Sequence, residues 1–155
     1  MYNKYINLYN KFILLTTNKD LYVLKRKKDN FSDRISIFLI HFALFLVIFK
    51  NEENKKKLQV IYDFLFKQIE LSIREIGYGD QSINKKMKDY VNLFHNILSK
   101  LHFWNNSSYL TKKKLLSFFL SDFTNISYLV QYFDQYVLNL SKNSLKSYLK
   151  SVDKY

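Results

Sequence analysis

Three histidines, thirteen carboxylates and no cysteine are what this chain of 155 residues has for building chemistry. His41, His95 and His102 are spaced so that no two stand four residues apart, and there is no HExxH pair. A helix face therefore cannot aim two imidazoles at one metal ion. Without Cys there is no thiolate ligand and no thiol nucleophile, and a GxSxG elbow is absent too. The carboxylates fall into structural patterns. Asp63 with Lys67 and Glu70 with Arg74 are acid-first pairs four residues apart, the favourable orientation on a helix. Asp80 stands where it can cap a helix start. Gly77-Tyr78-Gly79-Asp80 lacks the GxxxxGK[ST] and GxGxxG spacings of nucleotide loops and follows no strand. These residues predict no enzyme, no metal and no cofactor.

What remains is binding chemistry. Lys and Arg number 25 against 13 Asp and Glu, a formal charge of +12. The basic residues recur in runs at 25–28, 55–57, 85/86/88 and 112–114. Each run is either a solvated face or part of a shared site for an anionic partner, and three of them lie near helix starts, the unfavourable end of the helix dipole for a cation. Lys, Asn, Phe, Ile and Tyr make up half of the chain. All five use A/T-rich codons, so part of the Lys excess follows from base composition. A basic surface favours ribosomes, nucleic acid or anionic lipid as neighbours.

The elements that must position these groups are helical. The chain has two Gly and no Pro, too few turn formers for a sandwich or barrel. Its length suits one domain with a substantial core. The periodicity predicts a first helix over 2–15, an irregular basic connection over 18–33, and a strongly apolar helix from Ile35 to Phe49 that starts at a Ser32 or Asp33 cap. That apolar run is 15 residues long, about 22 Å as a helix, short of the roughly 30 Å of a hydrocarbon core. It predicts a buried central helix rather than a membrane span, with His41 packed inside and one ring nitrogen hydrogen-bonded. Further helices are expected over 55–76, 83–101, 110–121, 125–140 and 143–151. The fold class is all-α: a single-domain bundle of six to seven helices over residues 1–155, with a Gly-x-Gly helix corner. Gly77 falls where a left-handed C-cap would, and Gly79 is expected to allow close backbone approach. The N-terminus lacks a secretory or transit pattern, so the chain is expected to stay where it is made.

The corner carries a resemblance. REIGYGDQSINKKMK, from Arg74 to Lys88, is similar to the REMGVGDLSVGKRMK-type signature of the ubiquinol–cytochrome c chaperone family. Upstream, DNFSDRISIFLIH resembles the family's D-T-x-x-G-R-F-E-x-x-x-x-H segment and brings Asp29, Arg34 and His41 into register. IYDFLFKQIELSI before the corner and VNLFHNILSKL after it resemble the flanking helices, and LYNKF resembles the first helix. Coverage runs from about Leu8 to Leu101 and is weak over 102–155. The chain departs from the pattern at Asp33, Ser36 and His95-Asn96, where the family has Gly, Glu and Gly-Arg.

The resemblance implies an all-helical, non-enzymatic assembly factor for respiratory complex III that binds newly made cytochrome b. It implies a small helper subunit and the ribosome exit region as further partners. It places the protein peripherally at the inner membrane, on the cytoplasmic side or, in a eukaryote, the matrix side. The candidate partner-binding residues are Arg34, His41, Arg74, Glu75, Gly77, Tyr78, Gly79 and Asp80, with Lys85, Lys86 and Lys88 of the adjoining basic run. Arg34, Arg74 and Asp80 would either brace the corner as an ion-pair network or meet the client. The competing reading is a basic helical ribosome- or nucleic-acid-binding protein without a membrane client, whose affinity would fall steeply with salt.

Overall fold

The computed structural model describes residues 4–22 and 31–153. Within them lie seven α-helices and two short 3-10 turns, and no strand. In chain order the helices are α1 (Ile6–Thr16), α2 (Phe31–Phe49), α3 (Lys55–Ile76), α4 (Asp80–Leu101), α5 (Tyr109–Phe119), α6 (Ile126–Ser141) and α7 (Leu145–Asp153). The all-α class and the helix number are as expected, while α2 begins at Phe31 and takes in Ser32 and Asp33, the expected caps. The basic run 25–28 and Asp29 lie outside the described residues.

The apolar run decides the architecture. α2 is long and apolar enough to cross a membrane by length and composition alone. Here α1, α4 and α6 pack around it instead, and Ile37 through Phe45 are all buried. Burying so many large apolar side chains is the main favourable term for the fold. Phe12 of α1 meets Phe38, Phe42 and Phe45 with ring centres 5.5–5.9 Å apart. Phe94 of α4 stacks on Phe42 at 5.0 Å. α7 returns to cover α1, and its Tyr148 ring lies against Phe45 and Phe49.

Local chemistry sets several boundaries. Asn51 and Asn54 break the chain after α2: the Asn54 amide donates to the Phe49 carbonyl at 2.7 Å, and the Asn54 backbone N–H donates to Asn51 Oδ1 at 2.7 Å. Ser108 and Asn125 cap α5 and α6 by accepting from the N–H groups of Thr111 and Tyr128. The surface of α3 departs from the expected pairing. Glu70 does meet Arg74, at 3.7 Å. Lys67, however, turns to Glu70 at 2.8 Å, while Asp63 accepts from the Gln59 amide. The hydrogen bond from Lys67 holds the Glu70 carboxyl below its usual range.

One contact between α5 and α6 involves a residue of a basic run. Lys112 Nζ lies 2.8 Å from Asp134 Oδ1, which also accepts from Trp104 Nε1 at 3.0 Å. The ammonium lies 5.2 Å from the Trp104 ring centre. Lys112 is thus a packing residue, while Lys113 and Lys114 stay exposed. Replacing Asp134 by Ala leaves the buried indole N–H without its acceptor, an expected loss of about 2 kcal/mol. Asp134→Asn keeps an acceptor and should lose less. Urea unfolding followed by emission of the sole Trp measures both.

Candidate functional site

The α3–α4 corner is built from its two glycines. The last turn of α3 ends at Gly77, whose φ of 105° is left-handed and whose N–H donates to the Arg74 carbonyl at 3.0 Å. An L-residue is strained there, so Gly77→Ala should cost about 1 kcal/mol in thermal or urea unfolding. Gly79 is different. It is the N-cap of α4 with φ −74° and ψ 164°, extended backbone that any residue adopts. Nothing lies within 4 Å of where its Cβ would be. The close approach expected of Gly79 is therefore not made by this chain's own backbone.

The charged groups at the corner pair with each other. Arg74 Nη1 donates to Asp80 Oδ1 at 2.8 Å, and the N-cap of α4 is Gly79 rather than the expected Asp80. Asp80 sits in the first turn of α4, where a carboxylate suits the helix dipole. Its bond to Arg74 raises the guanidinium pKa further. Both residues are exposed, so the pair orients the corner more than it stabilises it. Tyr78 is 43% exposed, with the Lys86 ammonium 4.6 Å from its ring centre. Ile76 and Glu75 are exposed beside it, as are Lys85 and Lys88 on α4. The corner thus presents an aromatic ring, an aliphatic side chain, an ion pair and three lysines around a backbone with no side chain at Gly79.

Two of the expected contact residues stand on α2. Arg34 is exposed in the first turn of α2. His41 is fully buried and is removed from the surface set, because no partner can reach a side chain enclosed by the core. Its Nδ1 donates to the Ile37 carbonyl at 2.8 Å, which makes Nε2 the acceptor of the Tyr132 hydroxyl at 2.7 Å. The Tyr136 hydroxyl donates to the His41 carbonyl at 2.8 Å. Burial lowers the imidazole pKa to about 4, the Ile37 bond opposing in part, so the ring is neutral at physiological pH. The same burial raises the hydroxyl pKa values of Tyr132 and Tyr136.

A surface the sequence did not flag lies on α5. Leu110 and Phe118 are 67% and 65% exposed, and they flank exposed Lys114 in one row of the helix, four residues apart each way. The row is offset from the buried face carried by Leu116, and that offset is the sequence signal for an outward apolar stripe.

The described residues form an all-helical bundle whose surface displays aromatic and aliphatic side chains among lysines. The chain belongs to the ubiquinol–cytochrome C chaperone family, whose pattern matches residues 26–151. That match takes in α2 to α6, the corner and most of α7, and extends past Leu101 into the part where the resemblance was weak. Membership supports a chaperone role in assembly of the ubiquinol–cytochrome c reductase and implies a client in that assembly. No curated protein and no solved structure matches the chain.

Proposed function

We propose that this protein is a non-enzymatic assembly chaperone that binds newly made cytochrome b and holds it for building into the ubiquinol–cytochrome c reductase. The observation that carries the reading is the family match over about four-fifths of the chain. The corner supports a contact role. In a chain with two glycines, one stands at a position where neither backbone angle nor a neighbour asks for it. A partner's backbone resting on Gly79, with Tyr78, Ile76 and the Arg74–Asp80 pair around it, accounts for the missing side chain. Arg34, Glu75, Gly77, Lys85, Lys86 and Lys88 complete the proposed contact set.

The α5 row supports a peripheral position at the inner membrane. Leu110 and Phe118 suit the bilayer interface, and Lys113 and Lys114 suit its anionic headgroups. A small helper subunit and the ribosome exit region belong to the same proposal as further partners.

Crosslinking in native membranes, followed by capture of the tagged chain and mass spectrometry, tests the reading. Cytochrome b, early assembly intermediates or a small helper subunit among the captured proteins is the expected result. Ribosomes and RNA alone, with intact reductase in a deletion strain, would overturn it in favour of a basic ribosome- or nucleic-acid-binding protein.

A further inference from the structure

At the end of the α3–α4 hairpin away from the corner, a groove of about 820 Å3 opens between the last turn of α2, the first two turns of α3 and the C-terminal half of α4. It lies fourteen residues along α3 from Ile76, about 20 Å, and shares no residue with the corner. Its deeper wall is apolar: Leu46, Val47, Leu58, Phe94 and Leu98, of which Phe94 and Leu58 are buried and the rest half-buried. On one side the Tyr62 hydroxyl and His95 Nε2 meet at 3.0 Å, so those polar atoms are already paired.

The mouth is cationic. Lys50 and Lys55 are exposed there with one carboxylate, Glu52. Lys55 opens the first turn of α3, which holds no acid, and Lys56 and Lys57 follow it. The Asn54 side chain makes no cap bond to that turn; its Nδ2 donates to the Phe49 carbonyl. The first N–H groups of α3 therefore add their partial positive charge to the lysines.

The dimensions favour a small ligand over a protein helix. Such a volume falls in the range of roughly 300–1,000 Å3 typical of small-molecule sites. The lining residues cover Lys55–Tyr62 on α3 and Phe94–Leu98 on α4, about 10 Å and 6 Å of helix. A docked helix would need anchors over several turns and a contact area of about 800 Å2 per partner.

We propose that this groove binds a single-chain amphiphile with an anionic head. The tail lies along Leu58, Phe94 and Leu98, and the carboxylate or phosphate lies at Lys50, Lys55 and the start of α3. The inference stands independently of the assembly reading. A free fatty acid and a membrane-derived lysophospholipid present the same chemistry.

The test is titration of the full chain with 11-(dansylamino)undecanoic acid, followed by displacement with oleate, lysophosphatidylglycerol or oleyl alcohol. Saturable binding with blue-shifted emission is expected, and displacement by either anionic amphiphile should be at least about tenfold more effective than by the alcohol. Oleate as the stronger competitor identifies a fatty acid as the ligand; lysophosphatidylglycerol as the stronger identifies a lipid. The exposed double variant Lys50→Glu/Lys55→Glu should weaken the probe at least about tenfold and leave oleyl alcohol unaffected. Leu98→Trp should fill the groove and abolish binding, with circular dichroism and a thermal melt confirming that both variants fold. Binding that ignores both variants, or an absence of saturable binding, overturns the proposal. So does displacement by an acidic amphipathic peptide but not by oleate, which would make the groove a protein-docking site.

Discussion

His41→Ala should lose about 3 kcal/mol of stability at pH 7.5, the sum of a core cavity and a Tyr132 hydroxyl deprived of its acceptor. The more telling expectation is how that loss changes with pH. In the unfolded chain the imidazole has its ordinary pKa of 6.5, and in the folded chain burial lowers it to about 4. Between those values the unfolded state takes up a proton that the folded state refuses. The stabilising effect of the neutral, buried ring is thus complete above pH 6.5 and is lost as pH falls toward 4, by about 3 kcal/mol in all. The wild type should weaken over that window, and the variant should lack this component. The gap between them should therefore narrow by about 2 kcal/mol on going from pH 7.5 to pH 5. Urea unfolding at the two pH values measures it. A gap of constant size would mean that His41 is not held neutral by its surroundings.

Gly79→Val should leave the fold nearly intact and abolish client capture. The backbone at Gly79 is open to any residue and the space around its Cβ is empty. The only intramolecular cost is a poorer N-cap for α4, about 1 kcal/mol. If a partner's backbone rests on this position, two γ-methyl groups hold it off, and recovery of cytochrome b in the crosslinking experiment should fall at least about tenfold. Gly79→Ser keeps a good N-cap and should lie between the two. Asp134→Ala, which removes the acceptor of the Trp104 indole away from the proposed contact set, provides the contrast, with lower stability and wild-type capture. Wild-type capture by a folded Gly79→Val protein, or plain unfolding of that variant, would remove the corner from the contact surface.

These two positions show how far the sequence could be read. Periodicity placed α3 over 55–76 with Gly77 as a left-handed cap, because an amphipathic stripe and a Gly at its end are local signals. α4 begins at Asp80 rather than at Ile83, since its first turn is polar and carries no stripe. The burial of α2 was legible because it is apolar on every side. The partners of His41 were not. Tyr132 and Tyr136 lie 91 and 95 residues away, and nothing in the spacing of either segment marks the contact. The groove was hidden for a related reason. Leu58 and Leu98 keep core spacing on their helices, and a stripe that ends in a groove reads the same as one that ends in the core. Lys112 shows the converse, since a run of three lysines gives no sign that its first member folds back onto Trp104 and Asp134.

The packing of α7 on α1 bears on how the molecule is made. Asn7 donates to Asp153, a contact spanning nearly the whole chain, and Tyr148 covers Phe45 and Phe49. α1 packs on the nearby α2, but the rest of its packing waits for α7, which the Asn7–Asp153 contact reaches from far along the chain. Contacts this distant in sequence delay folding beyond what a bundle of adjacent helices would need. Until α7 docks, the ring surface that Tyr148 covers at Phe45 and Phe49 stays open, so a partly folded chain of this kind is itself aggregation-prone.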